Sequence, residues 1–254
     1  MQYNPFSLEG KHILITGASS GIGQACAEYC SKMGARVTLS GRDKERLAAV
    51  LETMEGDGHI IVPADVSDHS NVGIIVSKSV KDNGPIDGFI HSAGVELVLP
   101  LKLMKSEHYY RIFSVNVFAA LEFAKNIAKK GNYNEDGCSL VFIASVAGIK
   151  GEAVKVGYSS SKAALINGVR SIANELAPKG IRANCVSPAV CLTKMSKAFL
   201  AKLDDENRMK IESKHPLGFG HPEDVAFSCV FLLSNTSKWI TGSNLVVDGG
   251  YSIN

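Results

Sequence analysis

The sequence predicts a single α/β domain, with a doubly wound, mostly parallel sheet of seven strands and helices on both faces. Short runs rich in Val, Ile and Leu alternate with longer amphipathic runs, which is typical of strands that helices bury on both faces. No linker, low-complexity segment or internal repeat interrupts the alternation. The length of 254 residues is sufficient for one such domain with a sizeable core. We therefore expect residues 1–254 to form one unit.

The seven predicted strands are the apolar runs 12–16, 36–40, 59–63, 86–91, 139–144, 182–187 and 244–247. Helices are predicted at 21–33, 42–54, 67–81, 106–130, 158–177 and 222–233. The first helix places Ile22, Cys26 and Tyr29 on one apolar stripe, whereas the second is charged and typical of a surface helix. The segment 189–220 is long and mixed, so we expect a substrate loop or lid there with a short helix inside it.

Composition and charge exclude several classes of protein. Apolar residues make up 45% and charged residues 20% of the chain, which argues against disorder. The 27 basic and 25 acidic residues give a net charge of +2, too balanced to predict nucleic-acid or membrane-surface binding. The longest apolar stretch, 140–149, is too short to span a membrane, and the first ten residues have no signal-peptide core. We therefore expect a cytoplasmic protein.

The cysteines predict neither a disulfide framework nor a metal site. They stand at positions 26, 30, 138, 185, 191 and 229, with no Cys-x-x-Cys pair and no cluster of histidines beside them. Buried, reduced thiols are the expected state.

Residues 16–23, Thr-Gly-Ala-Ser-Ser-Gly-Ile-Gly, join the first predicted strand to the first predicted helix. Glycines permit a tight turn and a close backbone approach to a pyrophosphate, and the helix start supplies free N–H groups. A glycine-rich turn between a strand and a helix therefore predicts a dinucleotide site. The residues expected to form it are Gly17, Ser19, Ser20, Gly21, Ile22 and Gly23.

The spacing Gly-x-x-x-Gly-x-Gly resembles the cofactor signature of the classical short-chain dehydrogenases/reductases. Tyr158 and Lys162 match the family's Tyr-x-x-x-Lys, and Ser145 lies 13 residues before Tyr158, where the family keeps its catalytic serine. Asn116 matches the family's catalytic asparagine, and the resemblance covers essentially the whole chain. It implies a Rossmann-type fold and an NAD(P)-dependent oxidoreductase that transfers a hydride between nicotinamide and a carbonyl or secondary alcohol.

The catalytic residues follow a chemical logic. Carbonyl reduction needs a proton donor, and a free tyrosine, with a pKa of about 10, is a poor acid–base group at neutral pH. Tyr158 and Lys162 share one face of a predicted helix, so we expect the ammonium to lower the pKa of Tyr158. Ser145 ends a predicted strand, where its hydroxyl can polarise the substrate oxygen. The resemblance implies that Lys162 also binds the nicotinamide ribose and that Asn116 holds a proton-relaying water.

The resemblance also implies the remaining cofactor contacts. Asp65 and Val66 would contact the adenine, and Ala93 and Gly94 would keep the backbone close to the cofactor. The nicotinamide half would be held by Pro188, Val190 and Thr193.

The end of the second strand favours NADP(H) over NAD(H), although NAD(H) stays possible. An NAD-preferring site usually has a carboxylate there for the ribose 2′-OH. Gly41 occupies the acidic position by resemblance, and Arg42 can bind a 2′-phosphate by charge and hydrogen bonds. Asp43 is the residue that leaves NAD(H) open, because it could turn toward the 2′-OH.

Two segments depart from the family pattern. His91 and Ser92 stand where the family often has two asparagines, and we expect His91 to be a satisfied sheet residue. Ala189 follows Pro188 where the family has glycine, so the path of that loop is expected to differ.

The substrate itself cannot be identified from the sequence. The expected pocket residues are Glu96, Ala147, Ile149, Met195 and Phe199. Alternative functions are a 3-oxoacyl-(acyl-carrier-protein) reductase, a sugar or polyol dehydrogenase, and a non-catalytic nucleotide sensor. The sensor would be expected to lack Tyr158 or Lys162, which are both present. By resemblance we expect a homotetramer or homodimer that pairs through helices 106–130 and 158–177 and through the C-terminal region.

Overall fold

The computed structural model describes residues 4–201 and 203–253, without the side chains of Met195 and Phe199. One sheet holds the strands β1 (His12–Thr16), β2 (Arg36–Gly41), β3 (Ile60–Pro63), β4 (Gly88–His91), β5 (Cys138–Ile143), β6 (Ile181–Pro188) and β7 (Asn244–Val247). Their order is β3-β2-β1-β4-β5-β6-β7, and every pairing among them is parallel. The predicted doubly wound, single-domain α/β fold is confirmed.

The helices cover both faces of the sheet. They are α1 (Gly21–Lys32), α2 (Lys44–Leu51), α3 (Ser70–Asn83), α4 (Ser106–Phe113), α5 (Ala119–Ile127), α6 (Val156–Leu176), α7 (Lys194–Leu200), α8 (Asp205–Glu212) and α9 (Pro222–Leu233). Successive residues of β1 feed opposite cores, because side chains alternate along a strand. Leu14 joins the core under α3, α5 and α6, whereas Ile13 and Ile15 join the core under α1 and α9.

The order of the strands places the switch point between β1 and β4. The chain first adds β2 and β3 on one side of β1 and then continues with β4 on the other. Doubly wound sheets bind their ligands in the crevice at this point, outside the carboxyl ends of the strands. The glycine turn after β1 and the segment after β4 meet there, where the Ser92 N–H donates to the Thr16 carbonyl at 3.3 Å.

The predicted helix 106–130 is wrong in its continuity. It consists of α4, a π-helical turn at Ser114–Phe118, and α5, which ends at Ile127. The π turn adds a residue to the helical repeat and contains the buried Asn116. The chain leaves the helical path at Gly131, whose φ of +88° is left-handed.

The predicted bounds of two other helices change for local reasons. Helix α2 begins at Lys44 because the Asp43 carboxylate accepts a hydrogen bond from the Arg46 N–H and caps the helix. Before α3, Asp65 and Asp68 accept bonds from the backbone N–H groups of Ser67 and Ser70. These bonds hold the chain in turns until α3 begins.

The segment 189–220 contains α7 and α8, more helix than the short one predicted. Its two ends are tied together: the Gly220 N–H donates to the Val190 carbonyl at 3.1 Å, and the Leu192 N–H to the Gly220 carbonyl at 2.7 Å. Within the described ranges Val154 alone among non-glycine residues has a positive φ, so Ala189 needs no left-handed conformation. Among the helices described, none has the length and apolarity to cross a membrane.

Candidate active site

The glycine turn after β1 is shaped by backbone contacts that no larger residue permits. Gly17 has a φ of +67°, and a Cβ there would lie 2.7 Å from the Ala93 nitrogen. A Cβ on Gly23 would lie 2.7 Å from the Gly17 carbonyl carbon, so the turn and α1 touch directly. Gly21 also has a positive φ, +58°, and would bring a Cβ to 3.2 Å from Thr193 Cγ2. Each glycine is therefore required by space, by φ, or by both.

The start of α1 is free to bind an anion. Its N-cap, Ser20, is extended and makes no capping bond through its side chain, and the first turn has no acidic residue. Beside it lies a cavity of about 400 Å³, lined in part by Ser19, Ser20, Gly21 and Thr193. Uncapped N–H groups at a helix N-terminus attract phosphate. The residues present therefore fit the pyrophosphate of a nicotinamide dinucleotide.

The ends of β2 and β3 form the neighbouring side of this cradle. Gly41 is buried at the end of β2, and a Cβ on it would lie 3.5 Å from Ser19 Oγ. Arg42 is exposed next to it and helps to lower the pKa of Asp65, after the larger effect of the hydrogen bond from the Ser67 N–H. Asp43 points back to cap α2. The exposed cation at this end of β2 is therefore Arg42, whereas the carboxylate of Asp43 is engaged in capping α2.

Asn116 and Lys162 converge on the backbone after β4. A Cβ placed on Gly94 would lie 3.4 Å from Asn116 Oδ1 and 3.7 Å from Lys162 Nζ. The Asn116 amide clamps Val95 at both backbone groups: Oδ1 accepts from the Val95 N–H at 2.8 Å, and Nδ2 donates to its carbonyl at 3.0 Å. Nδ2 also lies 3.0 Å from Ser161 Oγ on α6. Asn116 thus joins the β4 loop to the helix that bears Tyr158.

Lys162 is buried on α6. Its Nζ donates to the Ile143 carbonyl at 2.7 Å and lies 5.7 Å from the centroid of the Tyr158 ring. Burial lowers its pKa to about 8, because a low-dielectric environment disfavours the ammonium. The side chain therefore loses its proton far more easily than an ordinary lysine.

Ser145 and Tyr158 are the other two predicted catalytic residues. Ser145 follows β5 by two residues and caps a short helical turn, with its hydroxyl accepting from the Ala147 N–H at 3.1 Å. The pKa of Tyr158 is raised to about 12, first by burial and then by the charge of Glu96, while a hydrogen bond with Ser145 lowers it. Lys162 is not among the described groups that act on this pKa, so the expected lowering by Lys162 is not found.

His91 is a satisfied sheet residue, as expected. Its Nε2 lies 3.2 Å from the Val115 carbonyl, which can only accept, so Nε2 carries the proton and Nδ1 accepts from the Thr16 hydroxyl at 3.0 Å. Thr16 Oγ1 in turn accepts from the Ala93 N–H at 3.3 Å. Burial, with a smaller effect of Lys162, lowers the pKa of His91 to about 3. The residue is neutral and braces the switch point.

The remaining predicted cofactor residues lie at the end of β6 and at the start of the segment 189–220. Pro188 is the last residue of β6, and Val190 lies where the two ends of the segment are tied together. The Thr193 hydroxyl lies 3.2 Å from Ser196 Oγ, and its methyl group faces Gly21. The segment 189–220 therefore begins against the glycine turn.

Comparison with known proteins identifies the family. A family model described as enoyl-(acyl carrier protein) reductase matches residues 17–252. The L-rhamnose 1-dehydrogenase (NAD(P)(+)) of Azotobacter vinelandii is 33% identical over 96% of this chain and 97% of its own length. The chain belongs to the short-chain dehydrogenase/reductase family.

Two further relatives of the chain have names that refer to different substrates. A 3-oxoacyl-(acyl-carrier-protein) reductase of Thermotoga maritima is 34% identical over 97% of this chain and 99% of its own. The crystal structure of a short-chain dehydrogenase/reductase of the glucose/ribitol dehydrogenase type from Brucella melitensis superposes with a TM-score of 0.89 at 30% identity, covering 98% of this chain and 99% of that one. This short-chain dehydrogenase/reductase is therefore a nicotinamide-dependent oxidoreductase.

The predicted pocket of this short-chain dehydrogenase/reductase is only partly assembled by described side chains. Glu96 lies at the edge of the site and is paired with Lys155 at 2.9 Å. Ala147 is buried, whereas Ile149 is exposed by 52%. The side chains of Met195 and Phe199 lie outside the described part of the chain. The described edge of the pocket thus combines a charged pair with apolar side chains.

Sequence reasoning missed three residues at the site. A Cβ on Gly148 would lie 2.7 Å from the Lys162 carbonyl carbon, so this glycine lets the Ser145 turn pack on α6. Thr16 links His91 to Ala93. Tyr251, near the other end of the chain, donates to Glu152 at 3.1 Å. Only Gly148 had a local signal, a glycine three residues after a candidate serine; the other two are placed by tertiary contacts.

Proposed function

We propose that this enzyme interconverts a carbonyl and a secondary alcohol, with Tyr158 as the acid–base group and Asn116, Ser145 and Lys162 as its partners. The observation that carries the proposal is the meeting of Asn116 and Lys162 at Gly94, with Tyr158 and Ser145 beside them and the glycine cradle across the crevice. A bound nicotinamide dinucleotide would supply or accept the hydride.

The roles follow from the surroundings of each group. Ser145 holds the substrate oxygen through its hydroxyl and polarises it. Tyr158 donates the proton to that oxygen in reduction and takes it back in oxidation. Lys162 sits below the tyrosine ring with a pKa near 8, which suits a group that exchanges a proton at neutral pH. Asn116 fixes the loop after β4 against α6.

We infer a preference for NADP(H), with NAD(H) as the weaker cofactor. Arg42 is exposed beside the buried Gly41, and the carboxylate that follows it in the chain, Asp43, is engaged in capping α2. A guanidinium binds a 2′-phosphate through charge-assisted hydrogen bonds. A ratio of kcat/KM for NADPH over NADH below one would remove this inference.

Assembly and location belong to the same proposal. We infer a homotetramer or homodimer, supported by apolar side chains exposed along α4 and α5 and near β7, among them Tyr110, Leu121 and Trp239. Trp239 is 97% exposed shortly before β7, an edge strand of the sheet. The segment 189–220 serves as the lid over the cofactor and substrate. A cytoplasmic setting agrees with six cysteines that are all buried thiols.

The decisive experiment is a pair of tyrosine variants. Tyr158→Phe removes the proton donor, so we expect turnover with NADPH and a carbonyl substrate to fall by about 100- to 10,000-fold while NADPH still binds, as measured by its fluorescence. Tyr110→Phe, which removes an exposed hydroxyl on α4, is expected to change neither. Near-normal activity of Tyr158→Phe would rule out the proposed mechanism.

A further inference from the structure

The edge of the active site carries a network of charged side chains from three separate segments. Lys155 Nζ lies 2.9 Å from Glu96 Oε1 and 2.8 Å from Glu152 Oε2. Tyr251 donates its hydroxyl to Glu152 Oε1 at 3.1 Å. Glu96 follows β4, Glu152 and Lys155 lie between Ser145 and Tyr158, and Tyr251 lies after β7. We call these four residues the edge network.

The edge network stands next to the acid–base group. Glu96, Lys155 and Glu152 all act on the charge state of Tyr158, with Glu96 the largest of the three. Glu96 follows Val95, the residue that Asn116 clamps at both backbone groups. Glu96 thus follows a residue that Asn116 holds at the site, and its charge acts on Tyr158, so a substrate bound at Tyr158 and Ser145 would extend toward this edge.

The backbone is strained to build the edge network. Val154, between Glu152 and Lys155, has a φ of +59°, a left-handed conformation that a β-branched residue rarely adopts. Its carbonyl accepts a bond from the Leu99 N–H at 2.7 Å, which joins this loop to the loop of Glu96. Such strain persists where the surrounding structure requires it, and it is concentrated at functional sites.

Two polar groups of the edge network are available to bind a ligand. An ammonium has three donor hydrogens, and the two carboxylates take two of those of Lys155. Both oxygens of Glu152 are engaged, one by Lys155 and one by Tyr251. Within the described residues, Glu96 Oε2 has no partner, and the side chains of Glu96 and Lys155 are 35% and 28% exposed. One acceptor and one donor thus stand side by side at the edge of the site.

We propose that Glu96 and Lys155 recognise a vicinal diol, one hydroxyl donating to Glu96 Oε2 and its neighbour accepting from Lys155. The substrate class is a neutral polyhydroxylated compound: an aldose, a ketose or a polyol. This inference rests on the proposed function, because the reacting hydroxyl is the one at Tyr158. Glu152 and Tyr251 are positioning residues, which hold Lys155 against Glu96. An acyl thioester offers no diol near its keto group and leaves the pair unsatisfied.

The test measures discrimination between substrates. With NADP⁺, kcat/KM is determined for D-glucose, L-rhamnose and ribitol, for cyclohexanol, which lacks neighbouring hydroxyls, and for 3-hydroxybutyryl-CoA. We expect at least one polyhydroxylated substrate to exceed cyclohexanol and the thioester, because a site built to bond hydroxyls rejects analogues that lack them. Turnover of cyclohexanol or the thioester without a polyol overturns the inference but leaves the proposed function standing. Bound NADP⁺ without turnover of any alcohol overturns both.

Glu96→Gln then tests the residue. Lys155 attracts the amide oxygen, so the NH₂ group takes the place of Oε2 and cannot accept from a hydroxyl. The ratio of kcat/KM for the polyol over cyclohexanol is expected to fall by about 10- to 100-fold, the loss of one hydrogen bond to a charged group. Glu135→Gln, which changes an exposed carboxylate before β5 at the opposite end of the strand, leaves the ratio unchanged. An equal fall for both substrates in Glu96→Gln would show a structural role only and overturn the proposal.

Discussion

The two sides of the active site are built by different means. On the cofactor side, the turn after β1 relies on backbone geometry, with glycines at 17 and 23 in contact with main-chain atoms of neighbouring segments. On the substrate side, side chains from three segments distant in sequence converge as Glu96, Lys155, Glu152 and Tyr251. Gly17 and Gly23 leave no room for a side chain, whereas the network on the substrate side consists of side chains whose replacement does not bring backbone atoms into collision.

The largest difference in the free energy of unfolding is expected between two glycine-to-alanine variants, one on each side of the site. Gly23→Ala brings a Cβ into the Gly17 carbonyl, and the clash is with backbone that cannot turn away. We expect it to lower the free energy of unfolding by about 3 kcal/mol and to abolish tight NADPH binding. Gly151→Ala, in the loop before Glu152, meets no atom within 4 Å and has no positive φ. Its free energy of unfolding should stay within about 0.5 kcal/mol of the wild type.

Urea unfolding and NADPH titration of the two variants measure this difference. Equal effects of the two substitutions would contradict the claim that backbone contacts form one side of the site and side-chain contacts the other.

A smaller effect, on cofactor preference, is expected from a substitution at Gly41, where there is room for a side chain. Gly41→Asp fits the available space, since its Cβ would meet Leu47 Cδ2 and Ser19 Oγ no closer than 3.5 Å. The new carboxylate would repel a 2′-phosphate and bond a 2′-OH. We expect the ratio of kcat/KM for NADPH over NADH to fall by about 30-fold, about 2 kcal/mol.

Ser77→Asp serves as the control, because it adds the same charge at an exposed position of α3. A ratio that does not move in Gly41→Asp would mean that Gly41 lies away from the ribose.

The smallest effect concerns His91, which lies between the two sides of the site, and the pH dependence of the free energy of unfolding. His91 has a pKa of about 3 in the folded chain and about 6.5 when unfolded. Since the folded value is the lower one, the unfolded chain takes up the proton first as the pH falls. The stability that a neutral His91 provides is complete above pH 6.5 and is lost progressively toward pH 3. Between pH 8 and pH 5 we expect a loss of about 2 kcal/mol.

His91→Asn does not titrate in this range, and its amide oxygen can take the place of Nδ1 and accept from Thr16. The fall in unfolding free energy from pH 8 to pH 5 should be smaller in the variant than in the wild type by about 2 kcal/mol. The other histidines are common to both proteins and cancel. An identical fall in both would refute the buried, neutral state of His91.

The sequence predicts the features that depend on local patterns and misses those that depend on contacts between distant segments. The sheet and the glycine turn follow from local sequence patterns, and Tyr158 and Lys162 lie on one helix, α6, as their spacing predicts. The π turn at Asn116 could not be predicted, because one extra residue in a helical repeat leaves the hydrophobic pattern nearly unchanged. Tyr251 could not be assigned to the site, because only the folded chain brings it to Glu152.

The pKa of Tyr158 shows a different limit. Its four-residue spacing from Lys162 predicts a lowered value, and spacing is all that the sequence offers. The structure adds the burial of Tyr158 and the carboxylate of Glu96, which raise its pKa instead. Electrostatics at a buried pair depends on the surroundings of both members, and these come from four different loops and helices.

The exposed Trp239 has a practical consequence, since it is the single tryptophan of the chain. Its indole is 97% exposed in the folded protomer, so its emission resembles that of an indole in water both before and after unfolding. Intrinsic fluorescence would therefore report poorly on the core of this enzyme. It would respond instead when a second copy covers the surface beside β7, so the chain carries a spectroscopic label for association that is independent of its folding.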